Sequence, residues 1–250
     1  MKTIAIYNIK GGVGKTASAV NLSFLASLDG ANTLLWDLDP QGAASYYFRI
    51  KAEIKGGGKN LIDGKVDIDD YVKGTDYENL DLLPADFTYR NMDTFLEQTE
   101  DPVNRFSKLL KPFAEEYDYI FLDCPPSISA VSESVFAAAD ILLVPTIPTT
   151  LSLRTYQQIM EFFAQQGIDK TKVMPFFVMV DSRKKMHRLI VQHPPSFMSS
   201  LLNSYIPYAS EVERMGVHRA PLTVFAARSK AAKSYTTMWD ELRLHIHLLQ

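Results

Sequence analysis

The run Lys10 to Thr16, KGGVGKT, constrains this chain more than any other feature. A phosphate-binding loop places a glycine, four residues and then Gly-Lys-Thr. Here Ile9 stands where the first glycine would be, and an additional lysine, Lys10, lies inside the loop. Gly11, Gly12 and Gly14 free the backbone to turn its N–H groups toward an anion, and a helix beginning at Lys15 would present its positive end to the same place. The loop from Lys10 through Val13 to Ala17 is therefore expected to wrap the phosphates of a nucleotide. Lys15 neutralises the outer ones, and the Thr16 hydroxyl holds magnesium directly. Lys10 has no place in that inventory. The flanks suit the motif, with a β-branched apolar run, TIAIY from Thr3 to Tyr7, before it and a helically spaced run, ASAVNLSFLASL, after it.

Further continuous apolar runs predict strands buried on both faces: TLLWD (Thr33 to Asp37), DYIFLD (Asp118 to Asp123), DILLVP (Asp140 to Pro145) and KVMPFFVMV (Lys172 to Val180). Pro175 predicts irregularity near the start of the last one. Helical patterns lie over Asn91 to Gln98, Pro102 to Glu116, Ser127 to Ala138 and Ser152 to Gln166. The glycine-rich IKGGGKN, Ile54 to Asn60, reads as a flexible surface loop. Alternating strands and helices predict an α/β fold with a doubly wound, mostly parallel sheet of P-loop type, whose ligands gather at the carboxyl ends of the strands. A chain of 250 residues that is 46% hydrophobic can bury such a core as one domain, 1–250.

Two strands would deliver acidic residues to that rim, in DLDPQG (Asp37 to Gly42) and DCPPS (Asp123 to Ser127). A carboxylate after a buried strand can orient magnesium through its waters, the task assigned here to Asp123. Pro-Gln-Gly after Asp39 forces a turn and suits a switch segment that senses the terminal phosphate, which puts Asp39 where it could hold the attacking water and touch magnesium through water. The alternative reading makes Asp37 and Asp39 turn-formers and helix caps, and it carries more weight for Asp37 than for Asp39.

No apolar run reaches the roughly 18 residues needed to span a bilayer, and Lys2 before a five-residue strand makes no signal peptide, so a cytoplasmic location is expected. The single cysteine, Cys124, excludes an intrachain disulfide framework.

KGGVGKT with its extra lysine, then DLDPQG, then FLDCPPS, resembles the ParA/MinD family of deviant Walker ATPases, and more closely the small ParA-type partition proteins. The likeness extends through NLDLLPA (Asn79 to Ala85), ADILLVP and IPYASEVERMGVHRAPL (Ile206 to Leu222). It implies ATP and Mg2+ as cofactors, an ATP-sandwich homodimer in which Lys10 crosses to the phosphates of the second subunit, Asp39 as the water-positioning residue, and adenine contacts at Asp181 and Pro207. It also implies a nucleoid-associated switch that positions or segregates cargo and whose hydrolysis is stimulated by a ParB-like or other adaptor protein. Because Met1 falls almost on the first strand, the DNA-reading extension of the larger partition ATPases is not expected. Iron proteins of the same fold use two cysteines per subunit to clamp a cluster, which Cys124 alone cannot do.

The net charge of −3 does not favour DNA, but its distribution does. DSRKKMHR, Asp181 to Arg188, is basic, and no acidic residue lies between Arg214 and Lys233, whereas acids gather between Glu53 and Asp86. Arg183, Lys184, Lys185, Arg214, Arg219 and Arg228 are therefore the expected contacts to non-specific DNA, set against a merely solvated face. The alternative is a membrane-associated, MinD-like positioning ATPase using its C-terminal helix. There Met238, Trp239, Leu242, Ile246 and Leu249 form one stripe. The helix lacks the basic rim of a lipid binder, so a core-packing role is expected and membrane partnership is not.

Overall fold

The computed structural model describes residues 1–248; Leu249 and Gln250, which ended the predicted C-terminal stripe, lie outside the described residues. Seven strands form one sheet: β1 (Lys2–Ile6), β2 (Thr33–Asp37), β3 (Lys73–Gly74), β4 (Leu80–Leu83), β5 (Tyr119–Asp123), β6 (Ile141–Thr146) and β7 (Val173–Phe177). Their order is β3-β4-β2-β5-β1-β6-β7, and every neighbouring pair is parallel except β3 with β4. Between their ends the central strands are largely apolar, as befits strands whose two faces are both covered by helices.

Those helices are α1 (Lys15–Leu28), α2 (Ala43–Tyr47), α3 (Gly57–Asp63), α4 (Met92–Glu97), α5 (Arg105–Leu110), α6 (Ala130–Ala138), α7 (Thr150–Gln165), α8 (Lys185–Gln192), α9 (Ser210–His218), α10 (Leu222–Ala226) and α11 (Lys230–Leu248). Helices α3 to α7 pack over one face, where Trp36 lies 5.0 Å from Phe106 and Phe136 lies 4.7 Å from Phe163, centroid to centroid. Helices α1, α2, α9, α10 and α11 cover the other.

In α11 the predicted stripe turns inward: Met238, Trp239, Leu242 and Ile246 are all buried. Trp239 packs edge-on to Tyr119 and donates its indole N–H to the Asp29 carboxylate at 2.7 Å. The stripe is filled by the protein's own core. No helix among the described residues is long and apolar enough to cross a membrane.

The helix expected over Pro102 to Glu116 is two pieces. Helix α5 ends at Leu110, and a 3-10 turn, Lys111–Glu115, continues the chain. Pro112 cannot donate the backbone hydrogen bond an α-helix would need there. The glycine-rich stretch at Ile54 to Asn60 is not a loop throughout, since α3 starts inside it. Gly56 and Gly57 take positive φ values of 86° and 69° and make the turn. Ile54 donates its N–H to buried Asp86, and Gly58 donates to the Thr88 hydroxyl, so the segment is anchored. Pro175 sits within a regular β7 because that strand is the sheet edge, where a missing N–H disrupts no ladder. The strand ends at Phe177, short of the predicted Val180, because Met179 turns the backbone to φ 54°.

Candidate nucleotide-binding site

The strand order reverses direction around β1, and the glycine loop leaves its carboxyl end between β5 and β6, the place where open α/β sheets bind ligands. Gly12 and Gly14 have φ values of 71° and 82°, a left-handed conformation that glycine alone adopts without strain. A methyl group built on Gly11 or Gly12 would meet nothing within 4 Å, so the cradle is open to a ligand. The loop is braced from beneath by buried Asn8, whose amide donates to the Pro145 carbonyl at 2.8 Å and whose oxygen accepts the Lys10 N–H at 2.9 Å.

The two lysines of the loop differ. Lys15 is buried and its ammonium donates to the Lys10 carbonyl at 3.1 Å. Burial pulls its pKa below the ordinary lysine range, against the pull of Asp123. Lys10 is exposed, and its ammonium has no hydrogen-bond or salt-bridge partner among the described residues. A phosphate held in the loop would be within Lys15's setting, while Lys10 faces outward.

Asp37 and Asp123 are register partners at the ends of β2 and β5, both fully buried. Asp37 accepts the N–H and hydroxyl of Ser45 on one oxygen, each at 2.8 Å, and the Ser45 hydroxyl accepts the Ala85 N–H at 3.0 Å. Its other oxygen and both oxygens of Asp123 have no hydrogen-bond partner among the described residues. Burial, with the charge of Asp37 beside it, pushes the Asp123 carboxyl well above the usual carboxylate range, while Thr16 and Lys15 oppose the shift. Burial raises Asp37 to about 6. Three orphaned carboxylate oxygens beside the Thr16 hydroxyl are the chemistry a hard divalent cation satisfies. Among the described residues there is no group of three or more potential protein ligands. Such an ion would therefore take the rest of its shell from phosphate and water, as magnesium does.

Asp39 is half-buried. Its carboxylate accepts the Gln41 N–H at 2.9 Å and its carbonyl accepts the Gly42 N–H at 2.9 Å, so it closes the turn that precedes α2, whose N-cap is Gly42. The turn-forming role is thus present, on the rim that also carries Asp123.

Asp181 and Pro207 are brought together. Val180 and Pro207 form a parallel bridge, and Tyr208 donates its N–H to the Val180 carbonyl. This segment adjoins the loop, because a methyl group on Gly14 would approach the Val178 side chain to 3.3 Å. The carboxylate of Asp181 is already engaged by Arg183 through two bonds of 2.9 Å, which hold it at about 2. Arg183, expected to contact DNA, therefore has an intramolecular partner, although its side chain remains 81% exposed.

Arg219 is also engaged. It caps α9 at φ 48°, donates Nε to the Tyr46 carbonyl at 2.9 Å and stacks its guanidinium 4.5 Å from the Tyr46 ring centroid. Arg214 contacts His218 at 3.1 Å. Lys184, Lys185 and Arg228 are exposed. The expected DNA set thus divides into three cations without a side-chain partner among the described residues, two held by neighbouring side chains and one tied to the helix that follows Asp39. Lys230 and Lys233, at the end of the stretch that lacks acidic residues, line an open cavity of about 400 Å³ with Ser204, Tyr205, Pro207 and Thr237.

A glycine loop leading from a strand into a helix, a buried lysine and paired buried carboxylates at the tips of adjacent strands define a P-loop nucleotide-binding protein. Residues 1–173 match the family described as an AAA domain. The sporulation initiation inhibitor protein Soj of Bacillus subtilis is 28% identical over 247 residues, covering 96% of this chain and 98% of the relative. The chromosome-partitioning ATPase Soj of Treponema pallidum is 29% identical over 251 residues, covering 96% of each. Among solved structures, an ATP complex of a Cyanothece McdA variant superposes with a TM-score of 0.84 at 23% identity, covering 97% of this chain and 96% of that one. The cell division ATPase MinD of Pyrococcus furiosus gives 0.77 at 19% identity, covering 97% and 98%. The chain belongs to the ParA/MinD family of P-loop ATPases.

Proposed function

We propose that this protein is an ATP-dependent dimerising switch that binds DNA without sequence preference and positions or segregates a cargo, with ATP hydrolysis stimulated by a ParB-like or other adaptor. The observation that carries the reading is the division of labour between two lysines in one loop: Lys15 folded inward and Lys10 exposed without a partner among the described residues. An outward ammonium adjacent to the phosphate cradle is placed for the phosphates of a second subunit. A single-lysine loop would have no use for it.

On this reading the backbone from Lys10 to Ala17 cradles the phosphates and Lys15 neutralises them. The Thr16 hydroxyl is the direct magnesium ligand, and Asp123 and Asp39 act on the ion through water. Magnesium, when bound, supplies charge neutralisation at the phosphates. Asp39 orients the attacking water, and its place in the turn to α2 ties that group to the switch segment. The adenine lies against Asp181 and Pro207. Catalysis is positioning plus charge stabilisation, with no covalent intermediate on the protein. The basic surface made of Lys184, Lys185, Arg214, Arg219, Arg228 and the Lys230–Lys233 cavity takes the DNA phosphates, and closing a dimer doubles the contacts available.

The test is binding to random-sequence duplex with ATP and with ADP, alongside sedimentation with anionic liposomes. DNA bound with ATP and released with ADP supports the proposal. Protein that ignores DNA at low salt yet sediments with liposomes would replace it with the membrane alternative.

A further inference from the structure

The chain leaves β7 along an unusual path. Met179 takes a left-handed φ of 54°, which a residue with a side chain adopts rarely. The next residues are then held from two sides. On one side Val180 donates to the Ile206 carbonyl and accepts from Tyr208, tying the chain to Pro207. On the other side stands α8. Arg188 donates to the carbonyls of Ser182 and Arg183, and His187 accepts the backbone N–H of Asp181 on Nδ1 at 3.1 Å. His187 is 2% exposed. It is a buried, titratable side chain with no part in the phosphate site.

Its chemistry is specific. To accept from an N–H, Nδ1 must carry a lone pair, so the ring is neutral with its proton on Nε2. Burial and the nearby Lys184 ammonium favour that neutral form, with Asp181 opposing. The atom it holds lies beyond the point where Val178 borders Gly14. Three residues of chain reach no more than about 10 Å. That is within the length of a nucleotide whose phosphates sit in the glycine loop.

We propose that His187 is a positioning residue for the nucleoside end of the ligand: by accepting the Asp181 N–H it fixes the 180–183 segment as the wall against which the base packs. The inference rests on the proposed function, since it requires that a nucleotide occupy the loop. His187 touches neither phosphate nor cation, so its contribution is confined to the base side. Leucine has the shape of asparagine without an acceptor, while the asparagine amide oxygen stands where Nδ1 does. His187→Leu should therefore lose the contact and His187→Asn should keep it.

The experiment is calorimetric titration of the wild type, His187→Leu and His187→Asn with magnesium–ATP and, separately, with magnesium–tripolyphosphate, which has the phosphates and no base. Thermal melts establish that each variant is folded, with His187→Ala replacing the leucine variant if that one is not. His187→Leu should bind ATP about tenfold more weakly, about 1.4 kcal/mol, and bind tripolyphosphate as the wild type does. His187→Asn should recover ATP affinity to within roughly twofold. Equal loss for both ligands would assign His187 a general structural role and overturn the proposal, as would an asparagine variant as weak as leucine. A wild type that binds ATP no better than His187→Leu does would remove His187 alone from the site. A wild type that binds no ATP would bring down the proposed function and this inference with it.

Discussion

Asp37→Asn should make the ligand-free protein more stable. The wild type buries two carboxylates side by side at the ends of β2 and β5, with three oxygens unpartnered. Burial raises the Asp37 carboxyl from 3.8 to about 6. An acid whose folded pKa exceeds its unfolded one costs nothing well below the unfolded value. The cost grows as pH rises between the two and is complete above the folded value. The cost is therefore partial at pH 5 and fully developed at pH 8, where it is on the order of a few kcal/mol. Asparagine is uncharged at both. Its oxygen can still accept from Ser45, and its NH2 can donate to an orphaned oxygen of Asp123. Urea unfolding at pH 5 and pH 8 should therefore show the variant gaining stability over the wild type, with the gain larger at the higher pH. Saturating magnesium–ATP should reverse the order, because the same oxygens then have a cation to serve. A gain that does not grow with pH, or a variant less stable than the wild type at pH 8 without ligand, would refute the argument that these carboxylates are held in the empty protein at a cost.

Asp39→Ala should bind ATP, accumulate as the dimer and hydrolyse slowly, because it loses a water-orienting group and no phosphate contact; unchanged turnover in a phosphate-release assay would return Asp39 to its turn-forming role alone. DNA affinity of the ATP-bound protein should fall by about 0.9 log units per phosphate contact per log unit of salt, and charge reversal at Lys230 or Arg228 should weaken binding to all sequences alike. Arg219→Glu should do more, since it also breaks the contact with Tyr46; an effect no larger than that of Arg228→Glu in the same filter-binding assay would make its tie to α2 irrelevant. Leu242→Ala should cost about 2–5 kcal/mol in urea unfolding, the range for a fully buried leucine. A cost below 1 kcal/mol would contradict the core-packing role of α11.

The phosphate loop and the fold around it were legible because local constraints coincide there. The glycines must turn, the flanking strands are apolar throughout, and the acidic residues end those strands abruptly. Strand β4 was less visible because Asp81 interrupts its apolar run, and only the fold supplies the Tyr117 hydroxyl that contacts it at 2.8 Å. The glycines at 56 and 57 have the composition of a flexible loop, and what anchors them is Asp86 and Thr88, about thirty residues away. The same limit governs the basic residues. Composition counts Arg183 and Arg219 as free charges, yet one is clamped by Asp181 two residues before it and the other by Tyr46, 173 positions away in sequence. His187 is an unremarked member of a basic run until α8 turns it against the Asp181 N–H. Long-range packing decides each of these, and spacing along the chain does not encode it.

The central claim, that Lys10 serves a second subunit, is tested most directly by the mass of Lys10→Ala in solution. Multi-angle light scattering with magnesium and a slowly hydrolysed ATP analogue should give a dimer for the wild type. For the variant it should give a monomer that retains most of its affinity for ATP, because Lys15 and the glycine backbone are untouched. A variant that dimerises as the wild type does would contradict the account and leave Lys10 a surface lysine.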